Sequence, residues 1–200
     1  MRDKTKSLYS LHPGFAMEAT SMENLKTRTG RTLEEWTQLV QKSGPPTERE
    51  RKDWLKNEHQ MTTNYAAWVA ARASGDRGAD GYDPESLVDA MFSGAKEALR
   101  PIYMALLQLG LAQGADVKAC PCKTIVPLYR NHVFAQIKPR TRTEIDLGFA
   151  LGALAAEGRL LDTGGFAKKD RITHRIVITS LESIDNEAKQ WLKTAYELDK

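Results

Sequence analysis

The stretch VFAQIKPRTRTEIDL, residues 133–147, decides the fold, because it has the pattern of two short strands around a tight connection. Apolar side chains alternate with polar ones on both sides of the connection, at Val133, Ala135, Ile137, Ile145 and Leu147. A period of two is typical of strands with one buried face. The five-residue loop Pro139–Thr143 has the length of a hairpin connection. We therefore predict an antiparallel hairpin here.

Three further features place this hairpin in a sheet. The segments KTIVPLY (123–129) and RITHRIVIT (171–179) are β-branched or alternating, so the second half has four predicted strands with the two of the hairpin. Helical patterns precede these strands, and an amphipathic helix follows over residues 181–198. Strands grouped between helices favour an α+β fold with an antiparallel four-stranded sheet packed on helices. Pro127 within its strand predicts an edge position.

The first half has helical signals instead. Thr32 with Glu35 and Thr47 with Glu50 have the spacing of capping boxes, in which side chains satisfy the first amides of a helix. Asp83 followed by Pro84 is a further helix start, after a run rich in Gly and Asp. We predict, in order, a flexible arm, a small helical domain, a linker and an α+β domain, over residues 1–20, 21–75, 76–83 and 84–200.

Composition narrows the class of protein. The chain has 200 residues, 41% hydrophobic and 28% charged, as in an ordinary globular protein. No apolar run approaches the roughly 18 residues of a membrane span, and the N-terminus lacks the apolar core of a secretory signal. These features predict a cytoplasmic protein without a membrane partner. The net charge of +3 is too small to indicate nucleic-acid binding by itself.

The distribution of charge is more informative. Between Asp116 and Glu144 the chain contains no acidic residue. The basic residues of that span are Lys118, Lys123, Arg130, Lys138, Arg140 and Arg142. A local excess of one sign predicts a surface that faces anions. The alternative is that these residues decorate strand ends and loops without a ligand.

Strand alternation predicts which side chains lie on the sheet face opposite the core. We expect the core face to carry Val133, Ala135, Ile137, Ile145, Leu147, Phe149, Ile172, Ile176 and Ile178. The opposite face, extended by the hairpin tip, would mix rings and cations that hold an anionic ligand or nucleic acid. The predicted ligand-binding residues are Lys123, Tyr129, Phe134, Lys138, Arg140, Arg142 and Arg175. Alternatively, Lys138 pairs with Glu144, and the helical domain covers Phe134 and Tyr129.

The sequence contains no recognised catalytic motif. Nucleophile-elbow, zinc-protease and phosphate-loop patterns are absent, so we predict neither catalytic residues nor a cofactor. Cys120 and Cys122 could join His132 and His174 in a zinc site, but two reduced thiols are the simpler interpretation. One set of residues loosely resembles the metal site of a nuclease, in which carboxylates hold Mg²⁺ and a lysine orients water. The acidic residue expected two positions before the lysine is missing from it. The set comprises Asp116, Gln136, Lys138, Glu144 and Asp146.

Two stretches resemble known families. MENLKTRTGRTLEEWTQLV (22–40) and DWLKNEHQMTTNYA (53–66) are similar to an uncharacterised bacterial family whose helical N-terminal domain has a Thr-Leu-Glu-Glu-Trp core. VDAMFSGAKEALRPIYMALL (88–107) through THRIVITSLESID (173–185) resembles another domain of unknown function. That second resemblance extends to predicted transport proteins and to proteins with nuclease-like domains. Neither implies an established activity.

Three interpretations of function remain open at this point. The first is a non-enzymatic binding or adaptor module with a basic, aromatic sheet face. The second is an enzyme that holds a small substrate in a pocket between the domains, where ligand sites often lie. The third is a protein–protein interaction module, for example a homodimer that uses the sheet face.

Overall fold

A computed structural model describes residues 7–200 of the chain. These residues form two compact units. One unit is Leu11–Tyr82, and the other is Asp83–Lys200 together with residues 7–10. Each unit has a hydrophobic core of its own. The helical unit is therefore an insertion between the first residues of the other unit and the rest of it.

The helical unit contains five α-helices. They are α1 Gly14–Glu23, α2 Leu25–Thr29, α3 Leu33–Ser43, α4 Glu48–Asn57 and α5 Thr63–Ala73. Both predicted capping boxes are confirmed. The side chains of Thr32 and Thr47 accept hydrogen bonds from the amides of Glu35 and Glu50, and the carboxylates of these glutamates accept from the amides of the threonines. Trp36, Val40 and Leu55 are buried together with α5 side chains.

The predicted arm differs from the structure. Residues 1–6 lie outside the described part of the chain, but residues 14–20 belong to α1. The buried Glu18 of α1 forms an ion pair with Arg72 of α5, and Tyr65 donates a hydrogen bond to the carbonyl of Ser21. Polar contacts of this kind attach α1 without an apolar stripe, so a hydrophobic pattern does not reveal it.

The second unit is an α+β structure, as predicted. Its helices are α6 Pro84–Met91, α7 Arg100–Leu111 and α8 Asn186–Leu198. Its strands are β1 Lys118–Ala119, β2 Val126–Tyr129, β3 Val133–Pro139, β4 Ile145–Phe149, β5 Leu161–Asp162 and β6 His174–Ile178. They form one sheet of order β1-β2-β3-β4-β6-β5, with all neighbours antiparallel. The predicted number of four strands is wrong, because β1 and β5 have two residues each and leave no readable period.

The edge position predicted for Pro127 is also wrong. Its strand β2 pairs with β1 on one side and with β3 on the other. The carbonyl of Pro127 accepts a hydrogen bond from the amide of Cys120, so its missing N–H points away from β3. The ladder between β2 and β3 consequently loses no hydrogen bond at the proline.

Residues 7–10 cover the outer side of β1. Tyr9 forms a parallel bridge with Ala119, and the amide of Ser10 donates to the carbonyl of Ala119 at 2.8 Å. The hydroxyl of Tyr9 lies 2.9 Å from that of the buried Tyr103 in α7. This segment therefore extends the sheet by one more short strand-like contact.

One face of the sheet packs against α7 and α8. The predicted core side chains are buried there at Ala135, Ile137, Ile145, Leu147, Phe149, Ile176 and Ile178, and Val133 is half-buried. The core position predicted for Ile172 is wrong, because its side chain lies against Gly148 and Gln136, which alternate with the core residues and face the other side of the sheet. Among residues 7–200, no helix has the length and apolar character that crossing a membrane requires.

Candidate functional site

We call the sheet surface opposite α7 and α8 the open face. Because Ala135 and Ile137 point into the core, the residues that alternate with them, and their cross-strand neighbours, point the other way. One row across the open face runs Gln136, Gly148, Arg175 and Leu161, and the next runs Lys138, Asp146 and Val177. The hairpin tip, residues 140–144, extends this surface beyond the strands.

A nearly buried carboxylate holds two arginines on the open face. The side chain of Asp146 is 11% exposed, and its Oδ2 accepts a hydrogen bond from Nη1 of Arg175 at 2.7 Å. Its Oδ1 lies 3.2 Å from Nε of Arg140, an ion pair whose geometry is not that of a hydrogen bond. Arg140 also donates from Nη2 to Glu144 at 2.7 Å. Two of the predicted ligand-binding cations are thus fixed by acids that the register brings beside them.

Two other predicted cations have no acidic partner in the described part of the chain. Lys138 and Arg142 are exposed, and neither side chain forms an ion pair or hydrogen bond within residues 7–200. Lys138 lies directly opposite Asp146 in the register. The alternative of a Lys138–Glu144 pair is wrong, because Glu144 forms its ion pair with Arg140 instead.

The sequence did not predict a further cation at the hairpin, Lys96. Nζ of Lys96 donates to the carbonyl of Pro139, the last residue of β3, at 2.9 Å. Lys96 lies far away in sequence, within the 3₁₀ turn Gly94–Leu99 that precedes α7. No local pattern connects that turn to the hairpin, so only the tertiary structure reveals the contact. Lys123, by contrast, is exposed in the loop before β2 and lies outside the strand rows.

The structure buries one of the two aromatic residues of the predicted site. Phe134 is 0% exposed, so the prediction that its ring faces a ligand is wrong. Its ring centroid lies 5.5 Å from that of Tyr196 in α8, edge to face. Tyr129 is half-buried at the end of β2, next to a register shift, and burial raises the pKa of its hydroxyl. The predicted ligand surface therefore loses Phe134 to the core.

A second charged cluster lies at the end of the chain. Asp199, whose side chain is 1% exposed, accepts hydrogen bonds from the amides of Asn131 and His132 and from Nη2 of Arg171, the last at 2.6 Å. Its Oδ1 lies 3.0 Å from Nδ1 of His132. Burial, the largest influence, raises the pKa of Asp199, but the hydrogen bonds from His132 and the charge of Arg171 together hold it below its ordinary value.

Asp116 belongs to this second cluster. Its carboxylate accepts hydrogen bonds from Tyr196 and Arg130, and the Arg130 guanidinium stacks on the Tyr196 ring. Asp146, in contrast, is held by Arg140 and Arg175. The acids of the metal-nuclease similarity are therefore engaged by different partners. Over residues 7–200, no three His, Cys, Asp or Glu side chains converge as a metal site.

The two cysteines are thiols that do not form a disulfide. Cys120 is buried and Cys122 is half-buried, and both are free of a disulfide. Burial raises the pKa of both thiols, that of Cys120 to about 11. Because the thiolate is the nucleophile and metal ligand, the raised pKa values disfavour the reactive form of both side chains.

The fold and these clusters define a chain with a helical unit inserted into an α+β unit that has a basic open face. Comparison with family models shows the family of this chain. The chain belongs to the family defined by a domain of unknown function, DUF5655, whose model matches residues 88–199. Residues 18–75 match a second domain of unknown function, DUF4287. Searches of curated proteins and of solved structures found no significant match. Neither family description names an activity, a ligand or a partner.

Proposed function

We propose that this protein is a binding module whose open face and hairpin tip hold the phosphate groups of a single-stranded nucleic acid. The observation that carries the proposal is the pair of arginines fixed by the nearly buried Asp146 beside two exposed cations, Lys138 and Arg142. Arginine and lysine side chains gathered on one surface are the groups that neutralise phosphates in nucleic-acid complexes.

Charge supports an anionic ligand. The open face and tip carry four cations, Lys138, Arg140, Arg142 and Arg175, against the two acids Glu144 and Asp146. The surface therefore has a net excess of two positive charges, although the whole chain is only slightly basic. Contacts of this kind with phosphates supply most of sequence-independent nucleic-acid affinity.

Geometry supports phosphate in particular. A guanidinium group offers five N–H donors in a planar fork that matches phosphate oxygens. Arg175 uses Nη1 for Asp146, so its Nε and Nη2 remain as donors, and Arg140 retains Nη1. Because Asp146 fixes both groups before a ligand arrives, less side-chain entropy is lost on binding.

The first experiment removes the two cations that have no acidic partner. We expect Lys138→Ala with Arg142→Ala to weaken binding of a labelled single-stranded oligonucleotide roughly tenfold to thirtyfold at about 0.1 M salt, because two phosphate contacts are lost. Fluorescence anisotropy measures the change. The control is Lys42→Ala with Lys189→Ala, which removes the same charge from exposed helix positions elsewhere. Equal affinities of the two double variants would contradict the proposed site.

The second experiment separates positioning from net charge. Asp146→Asn makes the open face more positive by one charge, so affinity would rise if charge alone mattered. We instead expect a fall of roughly tenfold, since Arg140 and Arg175 lose the group that orients them and one well-placed contact contributes about 1–2 kcal/mol. The oligonucleotide titration is repeated on variant protein whose circular dichroism spectrum matches the parent. A rise in affinity would exclude the positioning role of Asp146.

A further inference from the structure

His132 and Arg171 are held side by side at the opposite end of β3 from the hairpin tip. Nδ1 of His132 lies 3.0 Å and Nη2 of Arg171 lies 2.6 Å from the same oxygen, Oδ1 of Asp199. Nε of Arg171 donates to the carbonyl of Val133 at 2.8 Å, which fixes the plane of the guanidinium. Three separate segments of the chain therefore meet to orient one imidazole and one guanidinium group.

The outer sides of both groups face solvent. The His132 side chain is 67% exposed, and that of Arg171 is 51% exposed. Since Nδ1 of His132 is bound to Asp199, Nε2 is the ring nitrogen that points outward, and it has no partner among residues 7–200. Nη1 of Arg171 is likewise without a partner there. Anchoring Asp199 uses neither of these two nitrogens.

We propose that Nε2 of His132 and Nη1 of Arg171 form a second anion site, which takes a single tetrahedral oxyanion such as a phosphate group when His132 is protonated. This site goes beyond the proposed function, because it uses none of the residues of the open face. At about 3.3 Å per residue, the seven residues of β3 separate it by roughly 20 Å from the hairpin tip.

The charges around His132 explain why protonation controls binding. The charged or titratable groups connected to it through a chain of ion pairs and hydrogen bonds are Asp199, Arg171, Arg130, Asp116 and Tyr196. The two arginines and the two aspartates cancel, so the cluster has no net charge while the imidazole is neutral. Protonation of the imidazole adds one positive charge next to the outward donors, so the cluster then becomes positive by one unit.

The test is a sulfate titration of the full chain followed by NMR, at pH 5.5 and pH 8 and at constant ionic strength. Sulfate is the probe because its charge stays constant over this range, whereas that of phosphate does not. We expect the amide signals of Asn131 and His132 to shift, with sulfate binding at least tenfold tighter at pH 5.5. One added charge about 4 Å from a divalent anion contributes a factor of this order even in water-like surroundings.

Two variants locate the effect. In His132→Gln the side-chain amide can still donate to Asp199, but the gain in affinity at pH 5.5 should disappear. In Lys138→Ala with Arg142→Ala the gain should remain, because those residues belong to the other site. Persistence of the gain in the first variant, or its loss in the second, would overturn the proposal.

A measurement on the unaltered protein covers the case in which His132→Gln does not fold. A ligand that binds only the protonated imidazole must make protonation easier, so added sulfate should move the midpoint of the His132 ring signal to higher pH. An unchanged midpoint, or equal sulfate affinity at pH 5.5 and pH 8, would show that His132 only anchors Asp199.

Discussion

Replacement of Phe134 by alanine is expected to lower the free energy of unfolding by about 3–5 kcal/mol, the range for a buried phenylalanine. The ring is fully buried and packs edge to face on Tyr196, so its removal leaves a cavity between β3 and α8. Urea denaturation followed by circular dichroism measures the loss. A residue that served only to stack on a ligand would change affinity and leave stability intact.

The matched control is Phe166→Ala in the same unit. Phe166 is 58% exposed, so its removal is expected to change stability by about 0.5 kcal/mol or less. If Phe134→Ala behaved like Phe166→Ala, the placement of Phe134 in the core would be wrong, and its ring would again be a candidate for ligand contact.

Asp199→Asn is expected to cost about 2–3 kcal/mol at pH 7. The substitution leaves the Arg171 guanidinium without its ionic partner, and a neutral amide oxygen replaces a charged acceptor of two backbone N–H groups. The estimate is below the usual cost of breaking a buried ion pair, because Arg171 is half exposed and water can solvate it. Thermal or urea unfolding of the two proteins measures the difference.

The pH dependence of this difference follows from the lowered pKa of Asp199. A carboxyl group with a lower pKa in the folded state than in the unfolded state stabilises the fold fully above its unfolded value, near pH 4. That contribution is lost as the pH falls through the folded value. We therefore expect the gap between parent and Asp199→Asn to narrow below about pH 4. Asp170→Asn, an exposed neighbour of Arg171, should show no such gap.

Much of the fold could be predicted because its signals are local. Capping boxes at Thr32 and Thr47 and the period-two pattern of β3 and β4 each depend on residues a few positions apart. The strands β1 and β5 were not predicted, because two residues cannot show a period and only their pairing with neighbouring strands defines them. Helix α1 was not predicted, because an ion pair attaches it to α5 and the helix shows no apolar stripe.

The sequence predicted the basic residues of the candidate site, but it did not predict the acidic residues that pair with them. The acid-free run of residues 117–143 indicated the basic tip. The contact of Asp146 with Arg175 depends on the pairing of β4 with β6, which the sequence does not specify. Phe134 breaks the alternation that Gln136 and Lys138 follow, because the register of β2 and β3 shifts there and leaves Phe134 without a partner in β2. Its ring therefore lies in the core and packs on Tyr196 of α8. The sequence does not reveal a register shift of this kind.

The most direct test of the central claim is the salt dependence of oligonucleotide binding. Four phosphate contacts at the open face and tip predict that log affinity falls against log salt with a slope of about 3, since each contact with a single strand contributes roughly 0.7. Lys138→Ala with Arg142→Ala should reduce that slope by about half. Absence of binding at low salt, or a slope that the double variant leaves unchanged, would contradict a nucleic-acid site on this face.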